Sequence, residues 1–239
     1  MNRCVALLLS LLFASLSVAS ACSAAPGEPI RFTLDSDRRD GDVRVSFRDE
    51  SRGRDENNWS TTLAPAELAG LDLAALRAAG TRPIRFAMVR EAGRLDCAGS
   101  GGSAHATGNC GFTADPGFLR LLESRGIKRP TREESFGLMA LDVRRELIDA
   151  LARARYPAPD VDQLMSLTAV GVTAHYVGEL ARLGYRPASL DSLVEFRAMN
   201  ITPEYLGGMA RAGYGAIEAD DIVQLKALDI TPDYVSRLA

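Results

Sequence analysis

The spacing of apolar positions changes near residue 115, dividing the sequence into two kinds of structure. Before that point apolar and polar residues alternate. Ile30-Arg31-Phe32-Thr33-Leu34 and Val43-Arg44-Val45-Ser46-Phe47 have the two-residue period of half-buried strands. Asp40-Gly41 separates them, which predicts a β-hairpin with a longer loop. A mixed-charge stretch from Arg48 to Asn58 leads into Trp59-Ser60-Thr61-Thr62-Leu63, after which Pro65-Ala66-Glu67-Leu68 and Leu71 to Ala79 read as short helical pieces. Pro83-Ile84-Arg85-Phe86-Ala87-Met88-Val89 returns to strand, and the segments around Cys97 and Cys110 are expected to flank a flexible Gly/Ser/Ala-rich loop from Ala98 to Gly108.

From Asp115-Pro116 the spacing becomes helical, with Phe118, Leu121 and Leu122 preceding a stop at Gly126. A repeat follows. Thr173, Thr202 and Thr231 are 29 residues apart, as are Tyr176, Tyr205 and Tyr234. The columns Leu164/Leu193/Ile222, Leu167/Phe196/Leu225, Val170/Met199/Leu228 and Val172/Ile201/Ile230 share that register, and Leu138, Leu141, Val143, Leu147, Leu151 and Tyr156 extend it upstream. The pattern predicts four units of two helices each, the last cut short.

Thr202-Pro203-Glu204 and Thr231-Pro232-Asp233 have the chemistry of a helix start: a threonine that accepts a backbone N–H, a proline with no N–H to leave unpaired, and an acid facing the helix dipole. Gly184 and Gly213, each followed by tyrosine, are expected to end the second helices. One unit cannot bury its own apolar stripe, so neighbouring units must stack. The last unit leaves an apolar face that could dock on the sheet, another copy or a partner.

The predicted fold is α+β: a small antiparallel β-rich domain, then an α-helical hairpin repeat forming a short α-solenoid. The boundaries read as signal peptide 1–21, linker 22–29, β-rich domain 30–115, connecting helix 116–130 and helical repeats 131–239.

The first segment changes the cellular picture. Arg3, an apolar run from Val5 to Val18 and the small residues Ala19-Ser20-Ala21 form a secretory signal. The run is shorter than the roughly 20 residues of a membrane-spanning helix. Two processing routes fit: ordinary cleavage after Ala19-x-Ala21, or lipid attachment at Cys22, since Val18-Ala19-Ser20-Ala21-Cys22 is a loose lipoprotein box. The expected location is the periplasm or cell envelope, with the membrane reached only through that lipid anchor. Cys4 lies within the signal, which leaves Cys97 and Cys110 as the expected disulfide pair in an oxidising compartment.

Composition excludes more than it assigns. A chain of 239 residues, 46% hydrophobic and 25% charged, can bury a core, and its net charge of −3 argues against nucleic acid as a partner. His105 and His175 are the only histidines, giving little material for histidine catalysis or zinc. A Cys97/His105/Cys110 metal set matches no common zinc spacing. His175 occupies the position of Glu204 and Asp233 in later units and is expected to be an exposed first-turn residue. Asp35, Asp37, Asp40 and Asp42 are interrupted by Arg38 and Arg39 and lack an EF-hand register, so a solvated turn is expected. Gly99-Ser100-Gly101-Gly102-Ser103 lacks the lysine and following helix of a phosphate loop. Asp220 and Asp221 read as a helix start, and the repeated tyrosines as packing groups.

Ile201-Thr202-Pro203-Glu204-Tyr205-Leu206 and Ile230-Thr231-Pro232-Asp233-Tyr234-Val235 resemble the helical repeats of a family of uncharacterised exported, lipoprotein-like bacterial proteins, related to regions that accompany antibiotic-sensing membrane metallopeptidases. Phe86-x-x-Val89-Arg90-x-x-Gly93 with Cys97, Phe112 and Phe118 is similar to the β region preceding those repeats. The resemblance covers most of the mature chain and implies architecture. The peptidase part has no counterpart, for no His-Glu-x-x-His occurs. The expectation is a non-enzymatic envelope protein without catalytic, cofactor or metal residues. It would be a scaffold or interaction module with a protein partner or self-association; the alternatives are a ligand-binding sensor with a helical transmitter and an envelope hydrolase.

Overall fold

The computed structural model describes residues 30–36, 41–49, 58–215 and 217–237. The signal segment, Cys4, the linker with Cys22, Asp37 and Asp40 lie outside these residues. The alternating segments form β1 (Ile30–Ser36), β2 (Val43–Asp49), β3 (Asn58–Leu63), β4 (Arg82–Arg90), β5 (Gly93–Gly102) and β6 (His105–Ala114). They pair antiparallel in a six-stranded sheet of order β3-β2-β1-β6-β5-β4. Ile30, Phe32 and Leu34 of β1, and Val43, Val45 and Phe47 of β2, are fully buried on one face, as their alternation requires. A 3₁₀ turn, Pro65–Glu67, and the short helix α1 (Leu73–Arg77) connect β3 to β4.

Cys97 and Cys110 lie directly opposite in β5 and β6, at disulfide distance and with Cα atoms 4.0 Å apart. Between them the expected loop from Ala98 to Gly108 is instead a continuous ladder. Only Ser103 and Ala104 turn, with φ of 54° and 71°, as a two-residue hairpin of the I′ kind requires. Glycine-rich composition is a strand feature here for a steric reason. A Cβ on Gly99 would lie 2.1 Å from the Thr107 carbonyl oxygen, and one on Gly108 2.4 Å from that of Ala98.

The remaining helices follow the 29-residue register. α3 (Arg132–Ala140), α5 (Val161–Ala169), α7 (Leu190–Ala198) and α9 (Ala219–Ala227) begin at equal intervals, as do α4 (Arg145–Arg153), α6 (Ala174–Arg182), α8 (Pro203–Met209) and α10 (Pro232–Ser236). α2 (Pro116–Ser124) starts one further interval upstream of α4, as a half unit in the same register. Thr173, Thr202 and Thr231 are N-caps whose hydroxyls accept from the backbone N–H of Tyr176, Tyr205 and Tyr234, with Pro203 and Pro232 in the first turns.

Both kinds of helix end on a left-handed residue. It is Asp142, Gly171, Asn200 and Asp229 after the first helices, and Gly126, Arg155, Gly184 and Gly213 after the second, φ running from 54° to 94°. The next N–H then reaches back, as from Val172 to Leu167, Ile201 to Phe196 and Tyr185 to Leu180, at 2.9 Å each. Gly184 and Gly213 stop helices as the sequence predicted, whereas Asn200, Asp229 and Arg155 adopt the same backbone without being glycine.

One apolar core runs from the sheet through the helices. Leu164, Leu167, Leu193 and Ile222 are fully buried, and Phe196 nearly so, but Leu228 is 73% exposed. The hydroxyl of Tyr176 donates to Ile201 O at 2.7 Å, and that of Tyr205 to Ile230 O at 2.8 Å, so each unit holds the next at an equivalent point. Burial pushes the Tyr176 phenol up to about 12. Arg197 covers the Tyr176 ring and Lys226 that of Tyr205, at 5.4 and 4.8 Å from their centroids. Tyr234 occupies the same place and is half exposed.

Candidate functional site

Two clefts flank the junction between sheet and helices, and their electrostatics differ. One, of 480 Å³, is lined by Glu67, Met88, Val89, Arg90, Glu91, Asp142 and Arg144. Arg90 and Glu91 hold the halves together there. The Arg90 guanidinium donates to Met139 O at 3.0 Å and Ala140 O at 2.5 Å, the carbonyls at the end of α3. Its neighbour Glu91 accepts from Arg145 N at 2.8 Å, at the start of α4, whose N-cap Arg144 supplies no side-chain cap. A cation thus meets the negative end of one helix and an anion the positive end of the next. Burial pulls Arg90 below the ordinary arginine value, while the Asp142 and Glu67 carboxylates, 3.9 and 3.8 Å away, act in the opposite direction. This cleft is the structural joint.

The other cleft, of 460 Å³, opens between the start of β3, α3 and α5. Trp59, Phe136, Gly137, Ala140, Leu141 and Met165 supply an apolar wall; Asn58 and Thr131 add polar groups, and Glu133, Glu134 and Asp162 add three carboxylates. No lysine or arginine is among these lining residues.

Local chemistry sets each wall. Thr131 starts α3 in a capping box, accepting from Glu134 N at 3.2 Å while Glu134 accepts from Thr131 N at 2.6 Å. That start sets the register of α3, with Phe136 toward the sheet and Gly137 toward α5. Phe136 packs edge-on against Phe47 and Phe112, with centroids 6.4 and 5.8 Å apart. Trp59 stacks on Phe47 at 5.6 Å, and Arg90 reaches over its ring at 5.8 Å. Gly137 makes room for α5, since a Cβ there would lie 2.7 Å from Met165 Sδ. The result is a rigid aromatic wall, a deformable thioether and an acidic rim, suited to an apolar stem with a cationic head.

The residues singled out from sequence lie elsewhere. His105 begins β6, where its Nδ1 is 2.8 Å from Asp35 Oδ1; the cysteines lie further along the ladder. His175 is exposed, 3.8 Å from Glu179. Among the described residues no group of His, Cys, Asp and Glu has a metal-binding arrangement, and no helix is long and apolar enough to cross a membrane. Tyr176 and Tyr205 are buried between units. Sequence reasoning missed Trp59, Phe136, Gly137 and Met165 as a group. The available signal was the sole tryptophan, in a strand with no charged residue.

No family model, curated protein or solved structure matches the chain.

Proposed function

We propose that this chain is a non-enzymatic, exported protein of the bacterial cell envelope that binds another protein at the Trp59 cleft, with its 29-residue units acting as a short α-solenoid scaffold. The single observation that carries the reading is the contrast between the clefts. In one, the charges are taken up by the cleft's own ion pairs and helix-end bonds; the other sets an aromatic wall beside three carboxylates, with no lysine or arginine among its described lining residues. Aromatic anchors with a polar rim are the usual composition of a protein-binding hot spot. The likeness to exported repeat proteins belongs to the same proposal, as do cleavage or lipid attachment at Cys22 and oxidation of Cys97 with Cys110 in the periplasm.

The test is photo-crosslinking in cells, with a photoreactive residue at Asn58, a control at the exposed Arg85 on β4, and the Cys22→Ala form alongside. A discrete adduct from Asn58, absent from Arg85 and weakened at least tenfold by Trp59→Ala, is expected in the envelope fraction. Identical adducts from both positions, or none, would overturn the reading. A second reading, a sensor binding a small amphipathic cation with the helices as transmitter, draws support from the cleft volume of 460 Å³, which falls in the small-molecule range.

A further inference from the structure

The two edges of the sheet are unequal. β4 reads Arg-Pro-Ile-Arg-Phe-Ala-Met-Val-Arg, with three arginines and a proline. It is also bridged by its own chain: Ala69 N donates to Ala87 O and Ala87 N to Ala69 O, both at 2.8 Å. Charge, proline and a covering segment are what keep a strand edge from pairing with another chain. β3 reads Asn-Trp-Ser-Thr-Thr-Leu and has neither charge nor proline. Among the described residues it pairs only with β2. Asn58, Ser60 and Thr62 are exposed, while Trp59 and Thr61 face inward and are only half buried. Among the described residues, the edge without these protections runs into the acidic, aromatic cleft.

Resting on the reading above, we propose that β3 accepts an extended segment of a partner protein as an added strand, with a lysine or arginine of that segment seated in the cleft. Main-chain hydrogen bonds along the edge would supply the affinity and the pocket the choice of side chain. Trp59 and Phe136 take the side-chain stem, and Asp162 stands at the rim for its charge. Charge complementarity selects this occupant over a second copy of the chain, because pairing two β3 edges brings two acidic rims together.

Trp59 is the sole tryptophan, so its emission reports on the cleft directly. The probes are acetyl-Thr-Val-Lys-Val-Thr-amide, the same peptide with glutamate in place of lysine, the lysine peptide with alternate backbone nitrogens methylated, and lysinamide. Each is titrated into the purified full-length exported protein. The lysine peptide is expected to shift the Trp59 emission saturably and to bind at least tenfold more tightly than the glutamate peptide. Methylation should weaken it more than tenfold, and lysinamide should have little effect. Asp162→Asn should reduce the lysine preference severalfold while the helical circular dichroism is retained.

An unresponsive tryptophan, equal binding of the two charges, or lysinamide binding as tightly as the peptide would overturn strand addition. So would a dimer crosslinked through β3 of both copies. If the Asn58 adduct in cells persists while the peptides fail, protein binding stands and only strand addition falls; loss of both removes the reading itself.

Discussion

The sheet and the helices hold together through contacts of different reach. In the sheet, β1 pairs with β2 a few residues later but also with β6, Ile30 opposite Cys110, so its order depends on bringing distant segments together. In the helices each joint repeats the one before it, Tyr176 to Ile201 and Tyr205 to Ile230, and every unit leans on its neighbours. A sheet of this kind gains stability as one cooperative element, whereas a repeat gains it joint by joint. Burial reflects this: Phe136, Leu138, Met139 and Ala140 are buried in α3 against the sheet, but only Ile222 is buried in α9 and Val235 in α10. A shared apolar core joins the two regions, and Arg90 and Glu91 add to it a hairpin turn that caps two successive helix ends.

Leu193→Asp should separate the two regions most. Leu193 is fully buried in α7, and a carboxylate there has no partner to offset its desolvation. The expected loss is about 4–5 kcal/mol. Helical circular dichroism should fall at a much lower temperature, while Trp59 emission, which reports on the sheet side, should change less. Unchanged melting would mean that the repeat column is not a core. A smaller effect is expected from Arg90→Ala, which removes the cap on α3, takes the guanidinium from Ala140 O and leaves Met139 O with only the backbone N–H of Asp142, at a cost of about 2–3 kcal/mol. Melting followed by Trp59 emission and by helical signal should then separate into two transitions; coincident curves would show that the joint is held by apolar packing alone.

Tyr176→Phe gives the finest comparison. Loss of the hydroxyl leaves Ile201 O without that donor and should cost about 1 kcal/mol at neutral pH. The folded protein keeps the Tyr176 phenol protonated up to about 12, against an ordinary value of 10. The folded chain therefore binds the proton more tightly than the unfolded chain. The contribution is fully present below pH 10 and is lost as pH rises through about 12. The variant should show a shallower loss of stability over that alkaline window in denaturant titrations. A slope identical to that of the parent would place the phenol in water.

The helical half was legible because its signals are local. Thr202-Pro203-Glu204 carries its own start within three residues, and Gly184 its own stop, so periodicity and caps placed the helices before any tertiary contact was known. The stops at Asn200, Asp229 and Arg155 were not read, since glycine is the usual occupant and here the surrounding unit imposes the conformation. In the sheet, β1, β2 and β4 were legible from alternation. The stretch from Ala98 to Gly108 was not, because glycine and serine are poor strand formers, and only the close approach of Gly99 and Gly108 across the ladder makes them necessary.

The 29-residue register, the caps and the alternating strands are written in the chain itself, since each depends on chemistry within a few residues or on repetition of the same side chain. The sequence alone did not determine which strand would end the sheet. Only the order β3-β2-β1-β6-β5-β4 leaves Trp59 at an edge, and only the docking of α3 and α5 beside it gathers Phe136, Met165 and three carboxylates around one cleft. Sheet order and docking come from long-range pairing and burial, which no local spacing in the chain encodes.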